Sequence, residues 1–147
     1  MRRFVVLMIG ATALSVSAAT RAIEFMSVAD EIAVLHDAPS TQSNKRLILT
    51  RGYPVELIIA TGNWVRVRDE GGTFAWIESK RLDDKRTVMV SEALVEAHDS
   101  PGQSAPVVFR AEKGVILDFL ELAGGWAKVR HRSGVTGFIL LRHLWGV

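Results

Sequence analysis

The sequence NWVRVRDEGGTFAWIE, residues 63–78, decides the fold of this chain. Its two valines alternate with Trp64, Arg66 and Arg68, and such alternation is typical of a β-strand that has one face in a core. The glycines at Gly71-Gly72 supply a tight turn, after which the apolar pattern of a second strand begins. The stretch therefore predicts a β-hairpin with a buried valine face and an outer face that carries a tryptophan beside two arginines.

The same pattern recurs as GGWAKVRHRSGVTGFI at residues 124–139. Trp126 follows Trp64 by 126 − 64 = 62 positions, and residues 24–85 align with residues 86–147 without a gap. The identical pairs include His36/His98, Asp37/Asp99, Pro39/Pro101, Gly52/Gly114, Gly62/Gly124, Trp64/Trp126, Val67/Val129, Arg68/Arg130, Gly72/Gly134, Ile77/Ile139 and Leu82/Leu144. A period of this length is too long for one solenoid unit and suits one very small domain. We therefore expect two domains, residues 24–85 and 86–147, with related surfaces.

The residues before the first copy have the layout of a secretory signal peptide. The basic start MRR precedes an apolar run from Phe4 to Val16, and small residues follow as far as Ala22. At 1.5 Å per residue this run would reach about 20 Å, which is shorter than the hydrocarbon core of a bilayer at roughly 30 Å. We expect a signal-peptide helix within residues 1–22, cleavage after Ala19 or Ala22, and a periplasmic mature protein without a membrane span.

Export changes the charge of the chain. The full sequence has 18 Lys and Arg against 16 Asp and Glu, and removal of Arg2, Arg3 and Arg21 leaves 15 against 16, a net charge of −1. This balance argues against a nucleic-acid partner. The sequence has no cysteine, which excludes disulfides, a thiol nucleophile and a zinc-thiolate site. Each domain must then be held by its own core or by packing against its twin.

Periodicity along the chain predicts short strands and no helix beyond the leader. We expect strands near 31–35, 46–49, 55–61, 65–68 and 73–78, a helical turn near 79–82, and the same order in the second copy, with a turn near 141–144. A further strand is expected at Val88-Met89-Val90, directly after the join. Five short strands with a long first loop and a closing helical turn describe an SH3-like barrel. The fold class expected is all-β, with two tandem five-stranded barrels. Because the join at residues 83–87 has no linker composition, the barrels are expected to pack closely.

Several segments resemble the bacterial Src-homology-3-like domain proteins of proteobacterial envelopes. They are RGYPVEL at 51–57, the hairpin at 63–78, KRTVMV at 85–90, the second hairpin at 124–139 and LWGV at 144–147. The tandem form with a signal peptide is similar to this chain over its full mature length. The resemblance implies a non-catalytic module that targets cell-wall peptides or other envelope components. It also implies that the two hairpin tryptophans match a peptide-groove tryptophan of eukaryotic relatives, with His36 where a groove tyrosine would lie.

The outer faces of the two tryptophan hairpins are the candidate binding surfaces. An indole beside guanidinium groups suits a ligand with an apolar body and a carboxylate, such as a peptide stem. The candidate ligand-binding residues are Trp64, Arg66, Arg68, Tyr53, Trp126, Lys128 and Arg130. Two alternatives stay open for each tryptophan: it covers its own hairpin, or it lies where one barrel packs on the other.

The alternative function is that of a periplasmic protein–protein adaptor. It is favoured by the apolar Leu140, Leu141 and Trp145 of the second copy, because aromatic and apolar anchors are common at interfaces. The duplicated His36-Asp37 and His98-Asp99 are interpreted as structural, with the aspartates accepting backbone N–H groups in a turn. No catalytic motif is found, so we expect neither an enzyme nor a cofactor nor a metal, and we expect a monomer.

Overall fold

The computed structural model describes residues 21–147 as an all-β protein with two sheets of seven strands each. The expected tandem of SH3-like barrels is therefore confirmed. The signal-peptide helix expected near the start of the chain lies outside the described residues. Among residues 21–147, no helix is both long and apolar enough to cross a membrane.

The two barrels repeat each other element by element. The first comprises β1 (Phe25–Val28), β2 (Ile32–His36), β3 (Lys45–Thr50), β4 (Pro54–Thr61), β5 (Trp64–Arg68), β6 (Phe74–Glu78), the 3₁₀ turn η1 (Ser79–Arg81) and β7 (Leu82–Asp83). The second comprises β8 (Thr87–Val90), β9 (Leu94–His98), β10 (Val107–Glu112), β11 (Ile116–Ala123), β12 (Trp126–Arg130), β13 (Thr136–Leu140), η2 (Leu141–His143) and β14 (Leu144–Trp145). Every bound in the second set follows its counterpart by 62 residues, so the gapless repeat of the sequence is also a repeat of structure.

The first sheet has two more strands than the sequence predicts, and the second has one more, because its β8 contains the strand expected at Val88-Met89-Val90. The strand order is β3-β2-β6-β5-β4-β1-β7, and the second sheet repeats it. The additional strands are β1, which pairs with both β4 and β7, and the two-residue β7. These strands have four residues and two, too few for an alternating pattern to predict them. The other five strands and both helical turns lie within two residues of their expected positions.

Each barrel has a core of its own. The first core contains Val28, Leu35, Val55, Val67 and Ile77, each no more than 1 % exposed. The second contains the equivalent positions of its own sheet and shares no residue with the first. Two separate clusters of this kind are what two folded units require, since each sheet must bury one apolar face.

Trp145 joins the two barrels. Its indole Nε1–H donates to the carbonyl oxygen of Pro54 at 2.9 Å, across 91 residues of sequence. Its ring meets Phe25 edge-to-face at 5.1 Å between centroids, and the guanidinium of Arg68 lies 5.2 Å from the ring centroid. The end of the second barrel is therefore packed on the first strand and the β4–β5 hairpin of the first barrel.

A close backbone approach completes this contact. The hydroxyl of Thr87 donates to the carbonyl oxygen of Gly52 at 2.6 Å. Gly146, the residue after Trp145, has a φ of 101°. A Cβ at this position would lie 2.9 Å from Pro54 Cβ and 2.9 Å from the carbonyl oxygen of Thr87. Only glycine fits here, because both the backbone conformation and the space exclude a side chain. The barrels are thus packed closely, as the short join predicts.

Candidate functional site

In each barrel a tryptophan packs against a buried histidine. Trp64 begins β5, and its ring meets that of His36, at the end of β2, edge-to-face with centroids 5.7 Å apart. Trp126 and His98 repeat the arrangement at 5.7 Å. Both histidines are buried, whereas both tryptophans are partly exposed. Each indole is thus supported from within the barrel while part of its surface remains open to solvent.

The first long loop of each barrel holds its histidine in place. The Nδ1 atom of His36 lies 3.2 Å from the carbonyl oxygen of Ser43, and that of His98 lies 2.8 Å from the carbonyl oxygen of Ala105. Because a carbonyl oxygen only accepts, Nδ1 carries the proton in both rings. In the first loop the Ser43 hydroxyl adds bonds to neighbouring backbone groups. The loop, the histidine and the tryptophan therefore form one connected unit.

Each Trp–His pair lines a cleft in the barrel surface, of about 110 Å³ in the first barrel and about 460 Å³ in the second. The lining of the first Trp cleft is Ile32, Val34, His36, Thr41, Trp64, Glu78 and Arg81. The lining of the second Trp cleft is Leu94, Val95, Glu96, His98, Gln103, Trp126, Leu140 and His143. Apart from Val95, each residue of the second set follows its counterpart by 62 positions. The repeat has therefore duplicated a cleft and not only a fold.

One pair of positions on the β2–β3 wall is apolar in the first cleft and charged in the second, while Ile32 and its counterpart Leu94 are apolar in both. Val34 lies opposite Ile48 in the register of β2 and β3, and Ile48 is 66 % exposed. At the equivalent positions of the second barrel, Glu96 accepts two hydrogen bonds from Arg110, at 2.9 and 3.1 Å. The same wall thus carries an ion pair in the second barrel where the first has two apolar side chains.

The opposite wall, at the end of the last hairpin, reverses this difference. In the first cleft Arg81 pairs with both Asp30 and Glu78, and the bond to Asp30 raises the pKa of its guanidinium. In the second cleft Leu140 and His143 take the places of Glu78 and Arg81. The ion pair beside the cleft therefore lies at the end of the last hairpin in the first barrel and on the β2–β3 wall in the second.

The other candidate residues of the first barrel lie away from the lining of its cleft. Arg66 stacks on Phe74 at 4.8 Å from the ring centroid, and Arg68 forms an ion pair with Glu56. The hydroxyl of Tyr53 accepts the backbone N–H of Glu70 at 3.3 Å, and burial raises the pKa of this phenol. Alternation along β5 holds, since its valines are buried and its arginines face outward, but the cleft is bounded by β2 and η1 and not by the arginine end of the strand.

In the second barrel the basic candidates also have protein partners. Lys128 lies 3.9 Å from the Glu121 carboxylate and over the ring of Phe138. Arg130 donates to Asp118 at 3.2 Å. The structure thus brings only Trp64 and Trp126 of the candidate residues into the clefts. The other residues that line the clefts were not among the candidates predicted from the sequence. The signal that could have identified them is the 62-residue repeat, because the cleft positions recur at that spacing even where the residue type changes.

The duplicated aspartates make side-chain contacts. The Asp37 carboxylate accepts from Arg46 at 3.2 Å, and the Asp99 carboxylate accepts from the Ser100 hydroxyl at 3.1 Å. Within residues 21–147 neither accepts a backbone N–H, so the expected turn bonds are wrong in detail, although both residues keep a structural role. The described part of the chain contains no group of three or more His, Asp or Glu side chains that could hold a metal ion.

Two small SH3-like barrels, each with an aromatic cleft, define a class of tandem binding modules. The family model of the bacterial SH3 domain matches the chain twice, over residues 29–84 and 91–146, and the chain belongs to this family. Bacterial SH3 domains are typically binding modules and are commonly extracellular or periplasmic. No curated protein matches the chain significantly.

Solved structures with a similar arrangement include two proteins from Trichomonas vaginalis and one from Bacillus cereus. NlpC2 from Trichomonas vaginalis is 15 % identical with a TM-score of 0.40, and the match covers 86 % of this chain and 49 % of that protein. NlpC1 from the same organism is 17 % identical with a TM-score of 0.40, covering 92 % and 51 %. An NlpC/P60 family protein from Bacillus cereus is 13 % identical with a TM-score of 0.39, covering 83 % and 56 %. The chain spans about half the length of these proteins.

Proposed function

We propose that this protein is an exported, non-catalytic binding module that recognises peptide-like components of the bacterial cell wall, namely peptidoglycan stem peptides, through its two Trp clefts. The observation that carries the proposal is the duplicated cleft, in which Trp64 and Trp126 are supported by His36 and His98 in the same geometry. Both copies keep a half-open indole, and large aromatic residues dominate the energy of binding surfaces.

The chemistry of the clefts suits a short, extended peptide. An indole face offers apolar contact with little loss of conformational freedom, while polar groups at the rim bond the ligand backbone. Thr41 and Glu78 supply such groups in the first cleft, and Gln103 supplies one in the second. Because Arg68, Arg130 and Tyr53 have partners within the protein, the proposal assigns ligand contact to the tryptophans and not to these residues.

The exchanged walls give the two clefts different preferences. The first places an apolar group of the ligand against Ile32 and Val34 and a polar group beside Glu78 and Arg81. The second adds the apolar Leu140 on the opposite side and places the Glu96 carboxylate beside Leu94. On a polymeric wall, two weak and different sites on one chain raise the effective concentration of the second contact once the first has formed.

The adaptor alternative loses part of its support. Trp145, which contributed to the apolar surface of the second copy, is packed on the first barrel and bonds Pro54. Leu140 lines the second Trp cleft and is not part of a flat docking face. A single discrete crosslinked partner in the envelope, without wall association, would favour the adaptor over wall binding.

Retention on purified peptidoglycan tests the proposal. The full chain is compared with Trp64→Ala, Trp126→Ala and the double variant, and we expect retention to fall in each single variant and at least tenfold in the double variant. A tenfold loss corresponds to about 1.4 kcal/mol, which is modest for removal of an aromatic anchor.

Phe74→Ala is the matched control, because Phe74 is an exposed aromatic residue of the same sheet and lies outside both clefts. Circular dichroism and thermal unfolding establish that the variants fold. If a truncated indole destabilises a barrel, Trp64→Phe and Trp126→Phe keep an aromatic group and replace the alanine variants. Equal retention of the wild type and a folded double variant would remove the proposal.

A further inference from the structure

A groove separate from both Trp clefts lies between the two barrels. Its volume is about 750 Å³, larger than either Trp cleft and within the range of ligand sites in proteins. Arg51 and Gly52 of the first barrel, Lys85 of the join, and Ile116, His131 and Arg132 of the second barrel line this interbarrel groove. Neither barrel forms it alone, so it exists because Trp145 and Thr87 hold the barrels together.

The acidic groups in the interbarrel groove are already engaged. The Asp118 carboxylate accepts from Lys85 at 2.9 Å and from Arg130 at 3.2 Å, and these bonds lower its pKa. Asp83 accepts the backbone N–H of Lys85 at 2.9 Å. The Asp118 carboxylate is therefore neutralised by two cations of the protein, and Asp83 has a backbone partner.

Two guanidinium groups of the groove are not engaged in this way. Arg132 forms no ion pair with any residue in the range 21–147, and Arg51 reaches only the exposed Glu31 carboxylate, at 3.9 Å. One arginine comes from each barrel, and both lie in turns, Arg51 before β4 and Arg132 before β13. An exposed ion pair at that distance contributes little, so both guanidiniums remain available to a ligand.

We propose that the interbarrel groove binds a carboxylate-bearing peptide, with Arg51 and Arg132 as the anion contacts and Val115 and Ile116 as the apolar contact. Guanidinium groups bind carboxylates through two parallel hydrogen bonds. Phosphate suits guanidinium equally well, but a free phosphate has no apolar group to cover Val115 and Ile116, whereas the side-chain methylene groups of an acidic peptide can cover them. The apolar lining of the groove therefore favours a carboxylate-bearing peptide over a free phosphate.

This site is independent of the function proposed for the Trp clefts. None of Trp64, His36, Trp126 and His98 lines the groove, and neither Arg51 nor Arg132 lines a Trp cleft. Loss of wall retention in the tryptophan variants and loss of carboxylate binding in the arginine variants are separate results, and either proposal can fail while the other holds.

A titration monitored by two-dimensional NMR of the full chain tests the proposal. The probes are acetylated pentaglutamate, its neutral counterpart pentaglutamine, and pyrophosphate as a phosphate source. We expect pentaglutamate to shift the backbone amides of Gly52, Gly114 and Arg132, and to bind at least tenfold more weakly to Arg51→Gln/Arg132→Gln. Pentaglutamine and pyrophosphate are expected to bind at least tenfold more weakly than pentaglutamate to the wild type.

Arg46→Gln is the matched control, because Arg46 is an exposed arginine whose partner is Asp37 and which lies outside the groove. This variant is expected to bind pentaglutamate within twofold of the wild type. An equal loss in Arg46→Gln would show a response to net charge only and would overturn the site. Tighter binding of pyrophosphate, or equal binding of pentaglutamine, would overturn the choice of a carboxylate. All three substitutions are at exposed positions, so a folding defect does not confuse the result.

Discussion

His36 and His98 show how single residues prepare a surface they do not themselves form. Each ring is buried, donates from Nδ1 to a loop carbonyl and presents its face or edge to a tryptophan. The sequence marks both histidines as duplicated, and the resemblance to SH3-like proteins places His36 in a groove. The sequence spacing does not predict their contact with the tryptophans. His36 and Trp64 lie 64 − 36 = 28 residues apart, on β2 and β5, and these strands are brought into register only because both pair with β6.

Asp118 gives the clearest prediction at this scale. Lys85 and Arg130 hold the pKa of its carboxyl below the ordinary value of 3.8, so the ionised form stabilises the folded state above that value. This contribution is lost as the pH falls through the lowered pKa. We expect the free energy of unfolding to decline more steeply between pH 5 and pH 2.5 in the wild type than in Asp118→Asn, as measured by urea unfolding across that range. Parallel curves for the two proteins would contradict the assignment.

At the scale of the element, strand β5 carries most of the information that the sequence provides. Val65 and Val67 are buried while Arg66 between them is exposed, as the alternation predicts. The same alternation correctly identifies ten strands in the two barrels but fails for β1 and β7, where it has too few residues to act on. The alternation also predicts the candidate site at the wrong end of β5. It shows that Trp64, Arg66 and Arg68 all face outward, but it does not show that only Trp64 lies beside β2 in the cleft.

The two faces of β5 respond differently to truncation. Val67 is 1 % exposed, so Val67→Ala removes two methyl groups from the core and is expected to lower the free energy of unfolding by about 2 kcal/mol. Arg66→Ala removes only a stacking contact with Phe74 and is expected to cost less than about 1 kcal/mol. Urea unfolding followed by tryptophan fluorescence measures both. A cost for Arg66→Ala equal to that of Val67→Ala would mean that the inner and outer faces are exchanged.

At the scale of the whole molecule, duplication and divergence act on different parts. The element bounds, the cores and the Trp–His pairs are preserved, whereas the walls of the clefts and the last residues differ between copies. Trp145 and Gly146 stand where the first copy has Asp83 and Asp84, and this change turns a strand end into the contact between barrels. The repeat made the two barrels predictable. The repeat does not predict the interbarrel groove, because the groove depends on residues such as Trp145 and Gly146 that differ between the two copies.

The indole N–H signals of the full chain test the central proposal most directly. Soluble fragments released from purified peptidoglycan are titrated into ¹⁵N-labelled protein, with the Trp145 signal as the internal reference, because that indole N–H is bonded to Pro54 between the barrels. We predict progressive shifts of the Trp64 and Trp126 signals and an unchanged Trp145 signal. Fragments that leave the Trp64 and Trp126 signals unmoved at saturating concentration would contradict the account.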